Sequence, residues 1–437
     1  MHVPRPIRVC IIGAGFGGVS TYVELHRRLH GTGTLEVTLI GEHDSFVFIP
    51  MIHEVATGGL SPESVIQPVR TLPQCCVRRF VEGRATLIDA DRKIVFAEQN
   101  RLAATDDDHL SPARDFVEVP YDVLVLATGS ETNYYDVLGA REHASDLKSL
   151  RDAADIRNRI IESFQDAERE DDPARQRDIL RFVIVGGGPT GVELAGELSD
   201  LIAGELTEAF PHLKNIATVF VIERGGVLLK DGIDPWFAER AEKILHAKLG
   251  VYVLYNTSVS EVTDDGVKTD HGFIPAETVI WAAGVKARAL TTRAVKQIER
   301  EARTGRIKVN EFLQVPSYPD VFVVGDQAWA ADAEDGQAYP MRAVFAVAQG
   351  RHTGRNIARR IAGRPLVRFY YADKGFIMSL GKHGALARVF GVKLSGFPAW
   401  FVYRLAYIDK AVGWRAKLHL LIEWTLNVFV PRDISKL

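Results

Sequence analysis

The sequence is short of cysteine, of net charge and of long apolar runs. It has three cysteines, Cys10, Cys75 and Cys76, and no C-x-x-C spacing of the kind used by metal or redox sites. This scarcity excludes a disulfide framework and predicts a cytosolic chain without a metal site. No uncharged apolar stretch reaches about 18 residues, so no transmembrane helix is expected. The formal net charge is −3, and without a basic block we expect no nucleic-acid partner.

Two copies of a βαβ pattern organise the chain. In each copy an apolar run of strand length precedes a helical pattern and a second apolar run. Apolar strands of this kind belong in a covered parallel sheet. The copies start about 170 residues apart, which is the scale of domains rather than of a short repeat. The first copy comprises Ile7–Ile12, Val19–Leu29 and Leu35–Ile40, and the second comprises Phe182–Val185, Val192–Ala203 and Thr218–Glu223.

A glycine-rich turn of the form G-x-G-x-x-G joins strand to helix in both copies. The first glycine permits the tight turn, the second lets the backbone approach a phosphate, and the third lets the helix pack on the strand. Amide N–H groups and the helix dipole then hold the anion. One such match is weak, but two in strand-turn-helix context predict two dinucleotide sites. The glycines are Gly13, Gly15 and Gly18 in the first turn, and Gly186, Gly188 and Gly191 in the second.

Acidic residues follow the second strand of each copy. Glu223 comes directly after VFVI, where a carboxylate binds a ribose hydroxyl pair and repels the 2′-phosphate of NADP, which favours NAD. Arg224 comes next and softens that preference. In the first copy the strand ends in LIGEHD, and Glu42 is the best candidate. The alternative for both carboxylates is an ordinary solvated strand end.

Later strands complete each half of the pattern and end in small residues. Tyr121–Ser130 reads YDVLVLATGS, and Glu277–Lys286 repeats the design as ETVIWAAGVK. A third strand, in Tyr318–Ala328, delivers a Gly-Asp pair to a turn, although an isolated pair of this kind is often only a capping turn. The residues at these strand ends are Thr128, Gly129, Gly284, Gly325 and Asp326.

This order of motifs resembles the two-dinucleotide-binding-domain flavoprotein disulfide reductase superfamily. The resemblance implies that the first glycine turn holds FAD, that the second holds NAD(P)H, and that Asp326 contacts the ribityl chain of the flavin. A redox dithiol needs two sulfurs close enough to bridge. Cys10 lies inside a strand, and a bond between the neighbours Cys75 and Cys76 would be strained, so disulfide reductase chemistry is not expected.

Further stretches resemble the type II NADH:quinone oxidoreductases, which are single-chain, non-pumping NADH dehydrogenases. These stretches are Phe46–Arg70, the FVIVGGGPTGVELAGEL motif, Ile274–Ala287, the YADKG at Tyr371 and the terminal PRDIS. In that family Glu193 lies near the nicotinamide and flavin rings, and Lys374 lies near the polar edge of the flavin. The alternatives are a glutamate that faces solvent on a helix and a lysine in a surface loop.

The acceptor motif of the family is only partly present. The family has A-Q-x-A-x-Q-Q-G, where glutamines line the quinone pocket, whereas this chain has AVFAVAQG at 343–350. Ala346 and Gln349 match and are the candidate acceptor residues, but Val344 and Ala348 replace two glutamines. A lost hydrogen bond costs about 1 kcal/mol, so quinone reduction can survive. The alternatives are another acceptor, or a plain helix that packs on the flavin.

The last part of the chain mixes aromatic, aliphatic and basic residues. Basic residues interrupt the apolar runs at intervals that suit amphipathic helices lying in a membrane interface, with tryptophans at headgroup level and the cations reaching water. A pair of core helices or a homodimer interface is the alternative. The residues concerned are Arg404, Lys410, Arg415 and Lys417, with Trp400, Trp414 and Trp424.

These observations predict an α/β protein with two Rossmann-like dinucleotide-binding domains and a C-terminal amphipathic helical region. We expect a FAD domain at 1–150 and 290–366, an NADH domain at 151–289, and a membrane-interface or dimerisation region at 367–437. The expected activity is NADH:quinone oxidoreduction at the cytoplasmic side of a membrane, with peripheral attachment. The rivals are a soluble NADH-dependent diaphorase, a sulfide:quinone reductase and a nucleotide sensor without turnover.

Overall fold

The computed structural model describes residues 5–72, 77–99, 115–230, 232–293, 298–332, 336–373, 375–410 and 414–437. Within it the chain forms two compact units, each built from three segments. The first unit comprises Met1–Phe46, Gln67–Glu131 and Val285–Ala372, and the second comprises Val47–Ile66, Thr132–Gly284 and Asp373–Leu437. The FAD and NADH domain boundaries derived from the sequence remain predictions.

The helices of the described residues divide between the two units. They are α1 (Phe16–Leu29), α2 (Ile52–Ala56), α3 (Pro62–Val65), α4 (Ala140–His143), α5 (Leu150–Arg169), α6 (Pro173–Ile179), α7 (Pro189–Leu201), α8 (Thr207–Ala209), α9 (Pro235–Leu249), α10 (Ala343–Ile361), α11 (Phe397–Lys410) and α12 (Trp414–Phe429). A π-helical turn, Ile202–Leu206, links α7 to α8.

The strands are, in chain order, β1 (Ile7–Ile12), β2 (Leu35–Gly41), β3 (Ser45–Val47), β4 (Ile66–Pro68), β5 (Val77–Asp89), β6 (Ile94–Gln99), β7 (Asp115–Pro120), β8 (Val123–Leu126), β9 (Ser130–Thr132), β10 (Ser145–Asp146), β11 (Arg181–Val185), β12 (Thr218–Ile222), β13 (Tyr252–Leu254), β14 (Val259–Thr263), β15 (Gly266–Thr269), β16 (Gly272–Pro275), β17 (Thr278–Trp281), β18 (Val285–Ala287), β19 (Thr292–Arg293), β20 (Ile307–Lys308), β21 (Gln314–Val315), β22 (Tyr318–Val323), β23 (Ala328–Trp329), β24 (Phe376–Ser379), β25 (Ala385–Val389) and β26 (Val392–Ser395).

A large mixed sheet forms the centre of the first unit, in the order β21-β22-β8-β1-β2-β5-β6-β7. Its middle strands are parallel: β1 pairs with β2 and with β8, and β8 pairs with β22. Helix α1 packs against α10, where a Cβ on Gly354 would lie 2.7 Å from the carbonyl oxygen of Thr21. The apolar strand residues are buried, as expected for a covered sheet.

The second unit contains a five-stranded parallel sheet in the order β10-β17-β11-β12-β13. Helix α5 packs on this sheet and begins at a capping box, in which Ser149 accepts the Asp152 N–H and the Asp152 carboxylate accepts the Ser149 N–H. Two antiparallel sheets, β14-β15-β16 and β24-β25-β26, belong to the same unit. Its core includes apolar side chains of the parallel strands, such as Val183, Ile222 and Val279, together with Val262 and Val267 of the sheet β14-β15-β16.

The fold class predicted from the sequence is confirmed by this architecture, with corrections in the C-terminal region. The sheet β24-β25-β26 precedes α11 and α12 and was not anticipated. Trp400 and Trp424 are buried, and of the three tryptophans expected at headgroup level only Trp414 is exposed. Arg404 is not a surface cation: its guanidinium lies 3.9 Å from the ring centre of Trp400 and donates to the carbonyl of Trp424 at 2.7 Å. The rings and the carbonyl satisfy that charge inside the helix pair.

Within the described part of the chain, no helix combines the length and the apolar character that crossing a membrane requires.

Candidate functional site

The first glycine turn joins β1 to α1. Gly13 has a φ of +109° and donates its N–H to the carbonyl of Ile40 at 2.8 Å. A Cβ here would overlap the carbonyl oxygen of Ala127, and a Cβ on Gly18 would overlap that of Gly13. Gly15 caps the helix, and no described atom lies within 4 Å of where its Cβ would be. This leaves an open approach to the N-terminus of a 14-residue helix, which suits a phosphate.

The second glycine turn repeats this construction between β11 and α7. Gly186 has a φ of +113° and donates its N–H to the carbonyl of Ile222 at 2.8 Å. A Cβ on Gly186 would come within 2.6 Å of the Cα of Ala283, and a Cβ on Gly191 would overlap the carbonyl oxygen of Gly186. Gly188 caps the helix with no described atom within 4 Å of its Cβ position. Each of the three glycines therefore lacks a side chain for the separate reason that the motif predicts.

In the first unit, the Gly-Asp turn at 325–326 is tied to neighbouring elements. The Asp326 carboxylate accepts the Ser130 hydroxyl at 2.6 Å. The Gly325 N–H donates to the side-chain oxygen of Gln349 at 2.7 Å, and a Cβ on Gly325 would lie 3.1 Å from the Cβ of Ala346. Ala346 and Gln349, the candidate acceptor residues on α10, therefore face the turn that carries Asp326.

The ATGS segment, residues 127–130 directly after β8, contains a buried polar atom without a hydrogen-bond partner among the described residues. The hydroxyl of Thr128 is shielded from water and has no hydrogen-bond partner among the described residues. Gly129 beside it has a φ of +71° with open space at its Cβ position, and its carbonyl accepts the side-chain amide of Gln327 at 2.8 Å. A buried hydroxyl left unpaired costs about 1–3 kcal/mol. An orphan of this kind beside the glycine turn fits a bound polar cofactor.

The two strand-end carboxylates are both engaged. Glu42 forms ion pairs with Arg288 and, at 3.9 Å, with Arg84. Glu223 accepts the N–H of Gly187 at 2.9 Å through one oxygen and the N–H of Gly225 at 2.6 Å through the other. The Glu42 side chain is still 38% exposed, whereas both oxygens of Glu223 are held by backbone N–H groups. Glu223 instead fastens the loop after β12 onto the glycine turn.

Glu193 lies on α7 and does not face solvent. Its carboxylate is 9% exposed and accepts the Ser379 N–H at 3.2 Å. Burial raises the pKa of Glu193 well above its usual range, the nearby Glu54 and Glu197 carboxylates raise it further, and the Ser379 N–H opposes the rise. A carboxyl group in this setting favours its protonated form more than an exposed glutamate does.

Glu193 belongs to a buried polar cluster of the second unit. The Glu54 carboxylate accepts the Tyr403 hydroxyl at 2.9 Å and the indole N–H of Trp424 at 3.0 Å. The Glu197 carboxylate accepts the guanidinium of Arg432 at 2.7 Å. Burial raises the pKa of Glu54, and it raises the pKa of Glu197 to about 7 although Arg432 acts in the opposite direction.

A small polar cavity lies within this cluster. Its volume is about 20 Å³, which is room for one water molecule. Charged and aromatic side chains from α2, α7, α11, the loop between β24 and β25 and the C-terminal segment line it, among them Glu54, Glu197, Lys382, Tyr403 and Arg432. The cluster thus brings together residues far apart in the sequence and includes a candidate site residue, Glu193, at its edge.

Lys374 and the three cysteines were also singled out in the sequence. Lys374, the second candidate catalytic residue, lies outside the described residues, as do Cys75 and Cys76. Cys10 is buried in β1, and burial raises the pKa of its thiol, so it is a packing residue rather than a reactive one.

Sequence reasoning missed the partners of Glu193. Glu197 is four residues further on the same helix, which places both on one face, and that spacing was the only local signal. Glu54 contacts Tyr403 on α11, and Arg432 contacts Glu197 on α7. The partners of each contact are far apart in the chain, and no local pattern indicates either contact.

The fold and the two glycine turns define an α/β oxidoreductase that uses dinucleotides. Residues 7–350 match the family described as pyridine nucleotide-disulphide oxidoreductase. A type II NADH:quinone oxidoreductase of Mycobacterium tuberculosis is 32% identical over 98% of this chain and 89% of its own length. A demethylphylloquinone reductase of Synechocystis is 29% identical over 96% of each chain. The structure of NDH2 from Plasmodium falciparum in complex with NADH has a TM-score of 0.85 at 18% identity, covering 99% of this chain and all of the other.

The chain belongs to the type II NADH:quinone oxidoreductases, within the pyridine nucleotide-disulphide oxidoreductase family. The family and the enzyme class predicted from the sequence are thereby confirmed. The predicted cofactors, FAD and NADH, agree with that membership.

Proposed function

We propose that this enzyme carries FAD and transfers electrons from NADH to a membrane quinone without pumping protons. The observation that carries the proposal is the glycine turn repeated in both units, with an open helix N-terminus each time. Bound FAD supplies a two-electron carrier, and the chain supplies binding, orientation and charge. The names of the relatives, which are quinone reductases, support the choice of acceptor.

The first unit holds the FAD in this proposal. The open helix N-terminus at Gly15 receives the pyrophosphate. The unpaired Thr128 hydroxyl and the open space at Gly129 support a flavin at the end of the ATGS strand. Asp326 faces the same strand end through Ser130. The proposed FAD residues are Gly13, Gly15, Gly18, Glu42, Thr128, Gly129, Gly325 and Asp326.

The second unit holds NADH in the same way. The open N-terminus of α7 at Gly188 receives the pyrophosphate. The Glu223 carboxylate at the end of β12 supports NADH over NADPH, because it repels a 2′-phosphate. The proposed NADH residues are Gly186, Gly188, Gly191, Glu223 and Gly284.

Glu193 holds a proton for the reaction. Quinone reduction by NADH takes up one proton besides the transferred hydride, and a buried carboxyl group with a raised pKa can deliver it. The burial of Glu193 and the carboxylates beside it support this role. Lys374 is proposed from the family resemblance alone, as a cation that stabilises negative charge on the reduced ring.

The acceptor side is proposed to involve Ala346 and Gln349. Both face the turn of Asp326, and the side-chain oxygen of Gln349 is already engaged by Gly325. Val344, which replaces a family glutamine, is exposed on the same helix. This replacement favours weaker hydrogen bonding to the quinone. It also motivates a diaphorase with a soluble acceptor as the second candidate function.

Membrane attachment is proposed through the outer faces of α11 and α12. Both helices bury aromatic residues inward and expose apolar residues outward, which is the reverse of a water-facing helix. Exposed apolar patches of this kind mark interaction surfaces, and a quinone dissolved in the bilayer gives the enzyme a reason to lie there. The exposed residues are Phe397, Phe401, Leu405, Trp414, Leu418, Leu421, Ile422, Leu426 and Phe429.

An acceptor screen tests the proposal. The purified holoenzyme is mixed with NADH and, in turn, with a ubiquinone, a menaquinone and a soluble dye, in detergent and in lipid vesicles. We expect quinone turnover that rises in vesicles. Turnover with the dye but with neither quinone would reject quinone reduction and establish the diaphorase.

A further inference from the structure

Tyr135 has a backbone conformation that is unusual for an aromatic residue. Its φ is +51°, and that of the following Asp136 is +57°. Bulky residues rarely adopt positive φ, because such a conformation is strained. It persists only where the surroundings hold it in place.

Hydrogen bonds within the second unit hold the backbone of Tyr135 in this conformation. The side-chain oxygen of Asn133 accepts the Tyr135 N–H at 3.0 Å. The Asn133 N–H donates to the carbonyl of Gly284 at 3.0 Å, and the Asn133 carbonyl accepts the indole N–H of Trp281 at 2.9 Å. The segment that carries Tyr135 is therefore fastened to the end of β17 and to the residue after it.

The Tyr135 side chain fills the space beside Gly284. Its hydroxyl oxygen occupies the place that a Cβ on Gly284 would take. On the other side, the guanidinium carbon of Arg224 lies 6.0 Å from the centre of the tyrosine ring, at the limit of a cation–π contact. Tyr135 is 43% exposed and Arg224 is exposed, so both remain accessible to a ligand.

These contacts bridge the glycine turn of the second unit. In its sheet, β11 lies between β17 and β12. Gly284 follows β17, Arg224 follows β12 after Glu223, and the turn at 186–191 follows β11. Ligands of parallel sheets bind at the carboxyl ends of the strands. The pair of Tyr135 and Arg224 therefore lies where the dinucleotide enters.

The charges around the turn distinguish the two side chains after β12. Glu223 directs one carboxylate oxygen at the N–H of Gly187 in the glycine turn and the other at the N–H of Gly225 in its own loop. Arg224 is left to present a positive charge, and a guanidinium binds phosphate oxygens well. A flexible arginine loses side-chain freedom on binding, and a ring that holds it in place beforehand reduces that loss.

We infer that Tyr135 is a positioning residue of the NADH site, which holds the Arg224 guanidinium at the glycine turn to bind a phosphate group of the dinucleotide. This inference rests on the proposed function. The phosphate is either the pyrophosphate, common to all the dinucleotides, or the 2′-phosphate of NADPH.

A double-mutant cycle tests the inference. Dissociation constants for NADH, NADPH and ADP-ribose are measured by calorimetry on the FAD-loaded full chain and on Y135A, Y135F, R224A and Y135A/R224A. We expect R224A to weaken ADP-ribose binding about ten-fold, and Y135A about five-fold. The double variant should lose no more than about ten-fold, because the ring acts through the arginine, whereas independent residues would lose about fifty-fold. Y135F should bind as the unaltered chain does.

Controls separate positioning from a structural defect. Tyr252→Ala, an exposed tyrosine at the start of β13, should leave the affinities unchanged. In steady state, Y135A should raise the KM for NADH and leave kcat and the KM for quinone as they are. Weakening confined to NADPH would identify the 2′-phosphate as the partner of Arg224, and weakening of all three ligands would identify the pyrophosphate.

The outcomes distinguish this inference from the proposed function. If the unaltered chain binds neither NADH nor ADP-ribose, both are wrong. If it binds them and the variants bind NADH, NADPH and ADP-ribose all equally well, or if the two losses multiply, only the role of Tyr135 is rejected.

Discussion

Glycines that share one motif have different physical roles in the two turns. Gly13 and Gly186 have positive φ and backbone packed against their Cβ positions, so their lack of a side chain serves the fold. Gly15 and Gly188 have ordinary backbone and open space, so we propose that their lack of a side chain serves an approaching ligand. The same letter in the motif therefore predicts opposite consequences of substitution.

Paired alanine substitutions in the second turn separate these roles. Gly188→Ala should keep the melting temperature and weaken NADH binding at least ten-fold, because a methyl group then lies where the pyrophosphate approaches. Gly186→Ala should lower the melting temperature by several degrees, since the methyl group meets the backbone of Ala282 and Ala283. Gly204→Ala, with open space in a helical turn, is the control and should change neither. Equal melting temperatures for the two turn variants would contradict this assignment.

The Glu197 carboxyl group makes a prediction about pH. Its pKa rises from 4.5 to about 7 on folding, through burial, while Arg432, Glu54 and Asp200 face it. Because the folded pKa is the higher one, its contribution is fully present below pH 4.5 and is lost as the pH rises through 7. Each pKa unit corresponds to about 1.4 kcal/mol, so up to about 3 kcal/mol of unfolding free energy is lost across that window.

Urea denaturation at pH 5, 6, 7 and 8 measures this effect. Glu197→Gln should flatten the dependence on pH, since it removes the titrating proton. Glu208→Gln, an exposed glutamate on α8, should leave the dependence unchanged. A Glu197→Gln profile parallel to that of the unaltered chain would show that the carboxyl group does not titrate in this range.

Among elements, the C-terminal helices are fastened by one buried carboxylate. Glu54 on α2 accepts hydrogen bonds from Tyr403 on α11 and Trp424 on α12. Arg404 lies between the rings of Trp400 and Trp424. The inner faces of the two helices are therefore polar and aromatic, whereas the outer faces are aliphatic and aromatic. This arrangement explains why a helix pair with so much exposed apolar surface keeps a defined position within its unit.

Replacing Glu54 tests that fastening. Glu54→Leu leaves two buried donors unpaired and should lower the unfolding free energy by about 2–4 kcal/mol. Glu54→Gln keeps an acceptor and should cost less. Hydrogen exchange should accelerate in residues 397–429 of the leucine variant. Glu239→Leu, on the exposed face of α9, is the control. Unchanged exchange in both helices would refute the fastening role.

Substitutions on the outer faces test membrane attachment. The triple variant F401S/L405S/I422S removes three exposed apolar side chains, each worth about 1 kcal/mol or more on insertion. Its partitioning onto vesicles of phosphatidylethanolamine and phosphatidylglycerol should fall more than ten-fold in a flotation assay. Phe116→Ser, an exposed phenylalanine of β7, should float like the unaltered chain. Equal flotation of the triple variant, with a lower mass by light scattering, would assign these faces to a homodimer.

For the whole molecule, local patterns predicted the two βαβ units and their glycine turns, but not the sheet β24-β25-β26 or the buried cluster. The strand β1 was predicted with its observed bounds, Ile7–Ile12. Its apolar run and the glycine turn that follows are adjacent in the sequence, so a local pattern is enough to predict it. The contact of Glu54 with Tyr403 spans 349 positions, and nothing near either residue indicates it. Tyr135 escaped notice for a different reason: positive φ in a tyrosine runs against every local preference. Sequence patterns thus located the two glycine turns, whereas the buried residues around Glu193 required the fold.

The direct test of the central claim is the visible spectrum of the purified enzyme during anaerobic titration with NADH. We predict a yellow protein with FAD bound to the chain, bleached by one equivalent of NADH, and restored to its oxidised spectrum by added quinone. A colourless protein that takes up no FAD, or a flavin spectrum that NADH leaves unchanged, would contradict the account.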